Sequence, residues 1–218
     1  MKKPVVFPPS AKAAIFDMDG TMIKNMEFHK QAWQKYLELH DIHLSEDKFQ
    51  QNISGKKNDQ IFELVFGRKL TVKELEKYSE EKEAIYRDLY ANLITEVAGL
   101  TNFVHSLQAK SIKLAIATTA PAGNRNFALK ALKLKGMFEV ILGDEHVSHG
   151  KPHPEIFLNT AQALGVTPED CVVFEDSPPG VQAGKAAGMQ VIALLTSHTA
   201  QELSGADYYI NDFTKIQV

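Results

Sequence analysis

Between Gly99 and Ile210 short apolar runs alternate with stretches of helical period, and this alternation restricts the fold more than any other feature of the chain. Phe103, Val104 and Leu107 mark a helix, and residues 112–117 a strand that ends in Thr118-Thr119. A helix over 126–134 and a short strand Val140-Ile141-Leu142 come next. Pro154 fits the first turn of a helix through Ile156, Phe157, Ala161 and Leu164, and Gly165 closes it. Cys171-Val172-Val173-Phe174 reads as a buried strand running into Glu175-Asp176. A helix over 180–187 stops at Gly188, a strand over 191–195 follows, and Tyr208-Tyr209-Ile210 ends the series. Strand, helix, strand in steady order means a parallel sheet with helices on both faces.

Ahead of this series stands Ala13-Ala14-Ile15-Phe16, a short apolar run that leads into Asp17-Met18-Asp19-Gly20-Thr21. Side chains alternate along an extended backbone, so Asp17 and Asp19 share a side if the extended form persists through them. Gly20 permits the turn by which the chain leaves the sheet. Two carboxylates that close repel unless a cation or a shared proton intervenes, and a hard divalent cation is the simplest resolution. Alone, the segment reads equally well as a strand followed by an acidic turn.

Between these two parts the pattern is helical. Phe28, Ala32, Tyr36 and Leu39 keep a helical period, widened by Trp33 and Leu37. Ser45 followed by Glu46 and Asp47 is an expected N-cap, and 52–55 an expected break. Ile61, Phe62, Leu64 and Val65 mark another helix. Thr71-Val72-Lys73-Glu74 is a capping box with Leu70 and Leu75 placed as a hydrophobic staple. Its helix is expected to run through Leu75, Ser79, Lys82, Ile85 and Leu89 and to end near Leu93. The expected fold is therefore α/β: a Rossmann-like parallel sheet core from 1–24 and 96–218, with an inserted all-α domain over 25–95.

Composition narrows the function. The formal net charge of −3, from 24 basic and 27 acidic side chains, offers no basic field for nucleic acid. The one cysteine, Cys171, excludes an intramolecular disulfide framework and sits in an apolar run as a core residue. The N-terminal apolar run is cut by prolines and no stretch approaches membrane-spanning length. The expectation is a cytoplasmic monomer without nucleic-acid or membrane partners. Neither a P-loop nor a G-x-G-x-x-G run occurs, so ATP or NAD use has no support. His146, His149 and His153 crowd one loop; their spacing suits no common zinc pattern, and loop exposure accounts for them better.

In an open parallel sheet ligands bind beyond the carboxyl ends of the strands. Asp17 and Asp19 follow the first strand, Thr118 the second and Glu175-Asp176 the Cys171 strand, while Lys151 lies in the loop after the Val140 strand. Each has a plain reading as a cap, a turn or a solvated charge. Together, on one edge and in this order, they describe a site.

Asp17-Met18-Asp19-Gly20-Thr21, Thr118, Gly150-Lys151-Pro152 and Glu175-Asp176-Ser177 with Gly180 resemble the four motifs of the haloacid dehalogenase-like phosphotransferase superfamily. The helical insert, with Phe28-His29-Lys30-Gln31-Ala32-Trp33 and Lys151-Pro152-His153-Pro154-Glu155-Ile156-Phe157, is similar to the β-phosphoglucomutase-like subfamily. The resemblance implies that Asp17 is a nucleophile forming an aspartyl-phosphate, and that Asp19 is the general acid and base. It implies Mg²⁺ on Asp17, the Asp19 carbonyl and Asp176, with Glu175 behind these ligands. Lys151 and Thr118 would face the transferring phosphate. Gly20, Thr119, His29, Lys56, Lys57 and Glu175 would line the place of a small phosphorylated metabolite. The insert would be a cap hinged near Lys24-Asn25 and Thr95-Glu96.

The departures from this pattern separate two reactions. A mutase holds a second phosphate, and the resemblance would place an arginine near Asn58 and a Ser-Lys-Asn group just after Thr118. Here Asn58 and Ala120-Pro121-Ala122 stand instead, with Lys56, Lys57, Asn124 and Arg125 as substitutes. A Mg²⁺-dependent phosphatase acting on a sugar phosphate-like metabolite or pyrophosphate is the favoured reading, a sugar phosphomutase the alternative. A non-catalytic binding protein on the same fold is a third reading, against which the intact acids count.

Overall fold

The computed structural model describes residues 4–45 and 58–218, with 59 and 60 described by their backbone alone. The chain divides into two compact units, Met1–Asn25 with Ile94–Val218, and Met26–Leu93.

The first unit is built on a sheet in which every strand pair is parallel. Strands β1 (Val5–Val6), β2 (Ala13–Phe16), β3 (Lys113–Ala117), β4 (Val140–Leu142), β5 (Cys171–Glu175), β6 (Gln190–Leu194), β7 (Tyr208–Ile210) and β8 (Ile216–Gln217) occur in that order. Six of them lie in the spatial order β4-β3-β2-β5-β6-β7, with β2 inside the sheet. Phe16 stands opposite Ile116 on one side and Phe174 on the other. That register brings the residues after Phe16, Ala117 and Phe174 to one edge, the carboxyl ends of three adjacent strands.

Alternation along the strands makes two different faces. Ile15, Ala115, Val173 and Val191 pack with Ile156, Phe157 and Leu164 of α6 (Glu155–Leu164) and Val181 and Ala183 of α7 (Pro178–Ala186). On the opposite face Phe16 stacks on Phe174 with ring centroids 4.8 Å apart, and Phe103 of α4 (Leu100–Ala109) meets both edge-on. Helices thus cover both faces, and the parallel strands read as continuous apolar runs because neither face meets water.

Three sequence expectations for this unit shift. The helix expected over 126–134 is α5, Ala122–Ala131, and begins directly after Pro121. Its early turns bury Asn124 and Arg125, polar residues that an apolar period does not register. The helix expected from Gly180 starts at Pro178, because the Ser177 side chain accepts the Gly180 N–H and proline suits the first turn. The pair β1–β8 was not anticipated; it joins Val5 to Ile216 across the length of the chain. Where the chain enters and leaves the second unit, its two passages are paired. The Val97 N–H donates to the Met22 carbonyl at 2.9 Å, the Lys24 N–H to the Thr95 carbonyl at 3.1 Å, and Ile23 bridges Glu96 antiparallel.

The second unit holds α1 (Met26–Leu39), α2 (Asn58–Phe66) and α3 (Val72–Tyr90). Trp33, Tyr36, Leu37, Ile61 and Phe62 form its core, with Leu70, Leu75, Tyr78 and Ile85 against them. The Thr71–Glu74 capping box is present in full, and Arg68 donates to the Glu74 carboxylate as well. Leu39 is exposed in the last turn of α1, and Leu93 lies beyond the end of α3, exposed. The helix runs through Leu75, Ser79, Lys82, Ile85 and Leu89 as expected, and its fully buried residues are Lys82, Glu83, Tyr86 and Tyr90. Two buried charges are tolerated because they bond each other at 2.9 Å. The expected cap at Glu46 and Asp47, the break at 52–55, Lys56 and Lys57 lie outside the described residues. No helix among the described residues is long and apolar enough to cross a membrane.

Candidate active site

The turn after β2 is wound around one carbonyl. Met18 O accepts the N–H groups of Met22 at 2.8 Å and Ile23 at 3.2 Å, while Gly20, at φ +75°, reverses the chain. Asn25, fully buried, closes the turn: its amide donates to Asp19 Oδ1 at 2.7 Å and its Oδ1 accepts the Gly20 N–H at 3.1 Å. Asp17 and Asp19 thereby acquire separate neighbours. Asp19 is held by Asn25, whereas Asp17 faces the acids at the end of β5.

Lys151 Nζ reaches in from the loop between β4 and α6. It donates to Asp17 Oδ1 at 2.7 Å, to Glu175 Oε1 at 2.7 Å and to the Ala117 carbonyl at 3.2 Å, so its three protons each have an acceptor. Burial pulls the Lys151 pKa down, but the charges of Asp17 and Glu175 outweigh it and the ammonium is held well above its usual range. The other Glu175 oxygen accepts the Asp176 N–H, the Ser177 N–H and the Ser177 hydroxyl, each at 2.9 Å. Glu175 is thus committed on both oxygens.

Asp17, Glu175 and Asp176 each offer an oxygen within 4.8 Å of the others, and all three are buried. Burial pushes the Asp17 carboxyl well above its ordinary range against the pull of Lys151, with Glu175 and Asp176 adding to the rise. Asp176 is pushed up to about 7, by burial first and by the Glu175 charge next. Three acids against one ammonium leave an excess of buried negative charge. A hard divalent cation on Asp17 and Asp176 fits that donor set, whose oxygens the protein alone does not neutralise.

Thr118, at the end of β3, is buried, and its Oγ1 accepts the Ala120 N–H at 3.1 Å. That leaves the hydroxyl hydrogen to donate elsewhere, beside the Ala117 carbonyl that receives Lys151. Thr119 is exposed. His29 belongs to the second unit, where its ring stacks on Tyr86 at 3.9 Å and its Nδ1 lies 2.9 Å from Lys82 Nζ. Asn58 donates to Glu83 Oε1 at 2.9 Å in the same cluster. Arg125, named as a substitute phosphate donor, is turned to another use: it donates to the Ala120 carbonyl at 2.6 Å and forks onto Glu145. Sequence reasoning missed Asn25, Thr21, whose hydroxyl donates to Asp176 Oδ1 at 3.3 Å, and Ser197 beside Asp176. Only the sharpness of the turn hinted at Asn25.

The sequence model of haloacid dehalogenase-like hydrolases matches residues 14–194 of this chain. A phosphorylated carbohydrates phosphatase of Thermotoga maritima is 32% identical over 182 residues, 83% of each chain. A β-phosphoglucomutase of Bacillus subtilis is 31% identical over 206 residues, 91% of this chain and 88% of that one. Among solved structures, a HAD hydrolase of family IA, variant 3, from Entamoeba histolytica superposes with a TM-score of 0.85 at 29% identity, covering 95% of this chain and 96% of its own.

Proposed function

The chain belongs to the haloacid dehalogenase-like hydrolase family and is a phosphoryl-transfer enzyme, and on that premise we propose that it is a Mg²⁺-dependent phosphatase of a small phosphorylated metabolite, sugar phosphate-like or pyrophosphate. The observation that carries this reading is the Asp17 carboxylate, buried at a strand end and bonded at 2.7 Å to the Lys151 ammonium.

Asp17 attacks phosphorus through a carboxylate oxygen, the P–O bond to the leaving group breaks, and Asp19 gives its proton to the departing oxygen. Asp19 then takes a proton from the water that attacks the aspartyl-phosphate, which releases inorganic phosphate and frees Asp17. Asn25 supports Asp19 in this role by fixing one of its oxygens. Lys151 and the Thr118 hydroxyl stabilise charge on the phosphoryl oxygens. Asp17, Asp176 and the Asp19 carbonyl would hold Mg²⁺, which would supply positive charge against the repulsion between carboxylate and phosphate. The unit Met26–Leu93 acts as the cap, with Lys56 and Lys57 selecting substrate.

Two readings of the reaction differ in what happens to the second phosphate. The likeness to the Bacillus β-phosphoglucomutase favours isomerisation. The engagement of Arg125 with Glu145 and the Ala120 carbonyl favours hydrolysis, since it removes a cation from the substitutes for the missing donors. The deciding assay supplies β-glucose 1-phosphate with a trace of the 1,6-bisphosphate and follows glucose 6-phosphate and free phosphate together. Free phosphate is expected to dominate; rapid glucose 6-phosphate with little free phosphate overturns the phosphatase. Asp17→Asn should abolish turnover of p-nitrophenyl phosphate with the fold retained, and near-native turnover rejects Asp17 as nucleophile.

A further inference from the structure

We propose that His149, His153 and Glu155 form a surface site for a borderline transition-metal dication of the Zn²⁺ type, separate from the acidic centre and built on the loop that carries Lys151. One ligand atom from each of the three residues lies within 4.8 Å of the others. A tetrahedral metal with ligands at about 2.0–2.1 Å spaces its donor atoms about 3.4 Å apart. His149 Nδ1 stands 3.0 Å and His153 Nδ1 3.8 Å from Glu155 Oε2, distances that bracket this value. The two imidazole rings lie with centroids 4.7 Å apart. Both rings are exposed, so a water can take the fourth position and the ion has an open route in.

The carboxylate is held before any metal arrives. Glu155 Oε1 accepts the Ser148 N–H at 2.9 Å and Oε2 accepts the His149 N–H at 3.0 Å. Its place in the first turn of α6 fixes its backbone as well. His153 Nδ1 accepts the Glu155 N–H at a long 3.3 Å, on the tautomer protonated at Nε2, and a metal there takes over that one lone pair from a weakly held amide. His149 Nδ1 faces a carboxylate oxygen and carries the proton there. Metal binding transfers that ring to the Nε2–H tautomer, through the water around an exposed side chain. Two nitrogens and one oxygen suit zinc or its neighbours in the series and disfavour Mg²⁺, which takes an oxygen shell.

His149 and His153 flank Lys151 on either side in sequence. Occupancy therefore ties both shoulders of that loop to the first turn of α6. The sequence spacing of His146, His149 and His153 suits no common zinc pattern, but Glu155 supplies the third ligand in place of His146. In the fold His146 turns away and bonds Gly143, its Nδ1 2.9 Å from the Gly143 amide nitrogen.

The test is calorimetric titration of Zn²⁺ into the full chain under excess Mg²⁺, alongside the double variant His149→Ala/His153→Ala. One equivalent is expected on the native chain, weakened at least tenfold in the double variant, whose activity without zinc stays at the native level. Circular dichroism checks that the variant is folded. Native protein that takes up no zinc, or a folded double variant that binds it undiminished, overturns the proposal. Neither result bears on the phosphatase reading, which the acidic centre carries.

Discussion

Lys151 and Asp17, 134 positions apart in sequence, meet through a 2.7 Å hydrogen bond at the carboxyl edge of the sheet. The ammonium is shared with Glu175 and the Ala117 carbonyl, so one cation touches the ends of three adjacent strands.

Lys151→Met should lower kcat for p-nitrophenyl phosphate about 10²-fold or more, the scale of losing one preorganised charge at a transition state. Stability should also fall. Removing one partner of a buried pair costs about 3–5 kcal/mol, eased here because burial already favours the protonated form of Asp17. Arginine should not rescue activity, since its planar fork cannot reproduce three acceptors around one nitrogen. A kcat within a few-fold of native for Lys151→Met rejects the role.

The pH dependence of the metal-free protein follows from Asp176. Its folded pKa of about 7 lies above that of an unfolded aspartate, near 3.9. Between these values the folded state keeps a proton that the unfolded state has lost. The stability contribution is therefore full below about pH 4 and is lost as pH rises through about 7. With chelator present, Asp176→Asn should melt increasingly above the native protein as pH rises from 5 to 8, and Mg²⁺ should close the gap by stabilising only the native chain. A gap that shrinks with rising pH contradicts this.

Gly20 tests the close approach behind the site. A Cβ there would lie 2.0 Å from Asp176 Oδ2 and 2.7 Å from Ser197 Oγ, on a backbone at φ +75°. Gly20→Ala should displace the Asp176 carboxylate, raise the Mg²⁺ concentration for half-activation and lower kcat. Gly136→Ala is the control, for its φ is +86° but a Cβ would meet nothing within 4 Å. It should cost only the left-handed strain of about 1–2 kcal/mol and leave kcat unchanged. Equal effects of the two substitutions on kcat would remove the carboxylate from the explanation.

In the second unit, Thr71→Ala should lower stability by about 1 kcal/mol through loss of the α3 cap. Glu74, held at a pKa of about 2 by Arg68 first and the Thr71 amide next, contributes stability above its unfolded pKa that is lost as pH falls through about 2. Urea midpoints of native and Thr71→Ala protein at pH 7 measure the first effect, and identical midpoints would refute it.

The buried strands were legible because two covered faces leave no polar position in them, and Ala13–Phe16 and Cys171–Glu175 each run straight into their acids. Asp17 and Asp176 were read at one edge because a parallel sheet puts like strand ends together, and Lys151 joined them from the loop after its strand. What escaped was buried polarity. Glu83, Asn124, Arg125 and Asn25 sit inside, and a hydrophobic period assigns such residues to the surface. Val5–Val6 escaped for a related reason, because two residues carry no period and their partner, Ile216–Gln217, is at the other end of the chain.

The paired passages at Met22–Val97 and Lys24–Thr95 give the second unit the status of a loop whose ends are already joined. The entropy of closing a loop grows only with the logarithm of its length, about 0.6 kcal/mol for each doubling. With its mouth fixed by the first unit, the segment between can be lengthened, shortened or replaced at small cost to the sheet. Evolution can thus exchange the second unit while the unit that carries Asp17 and Lys151 folds as before.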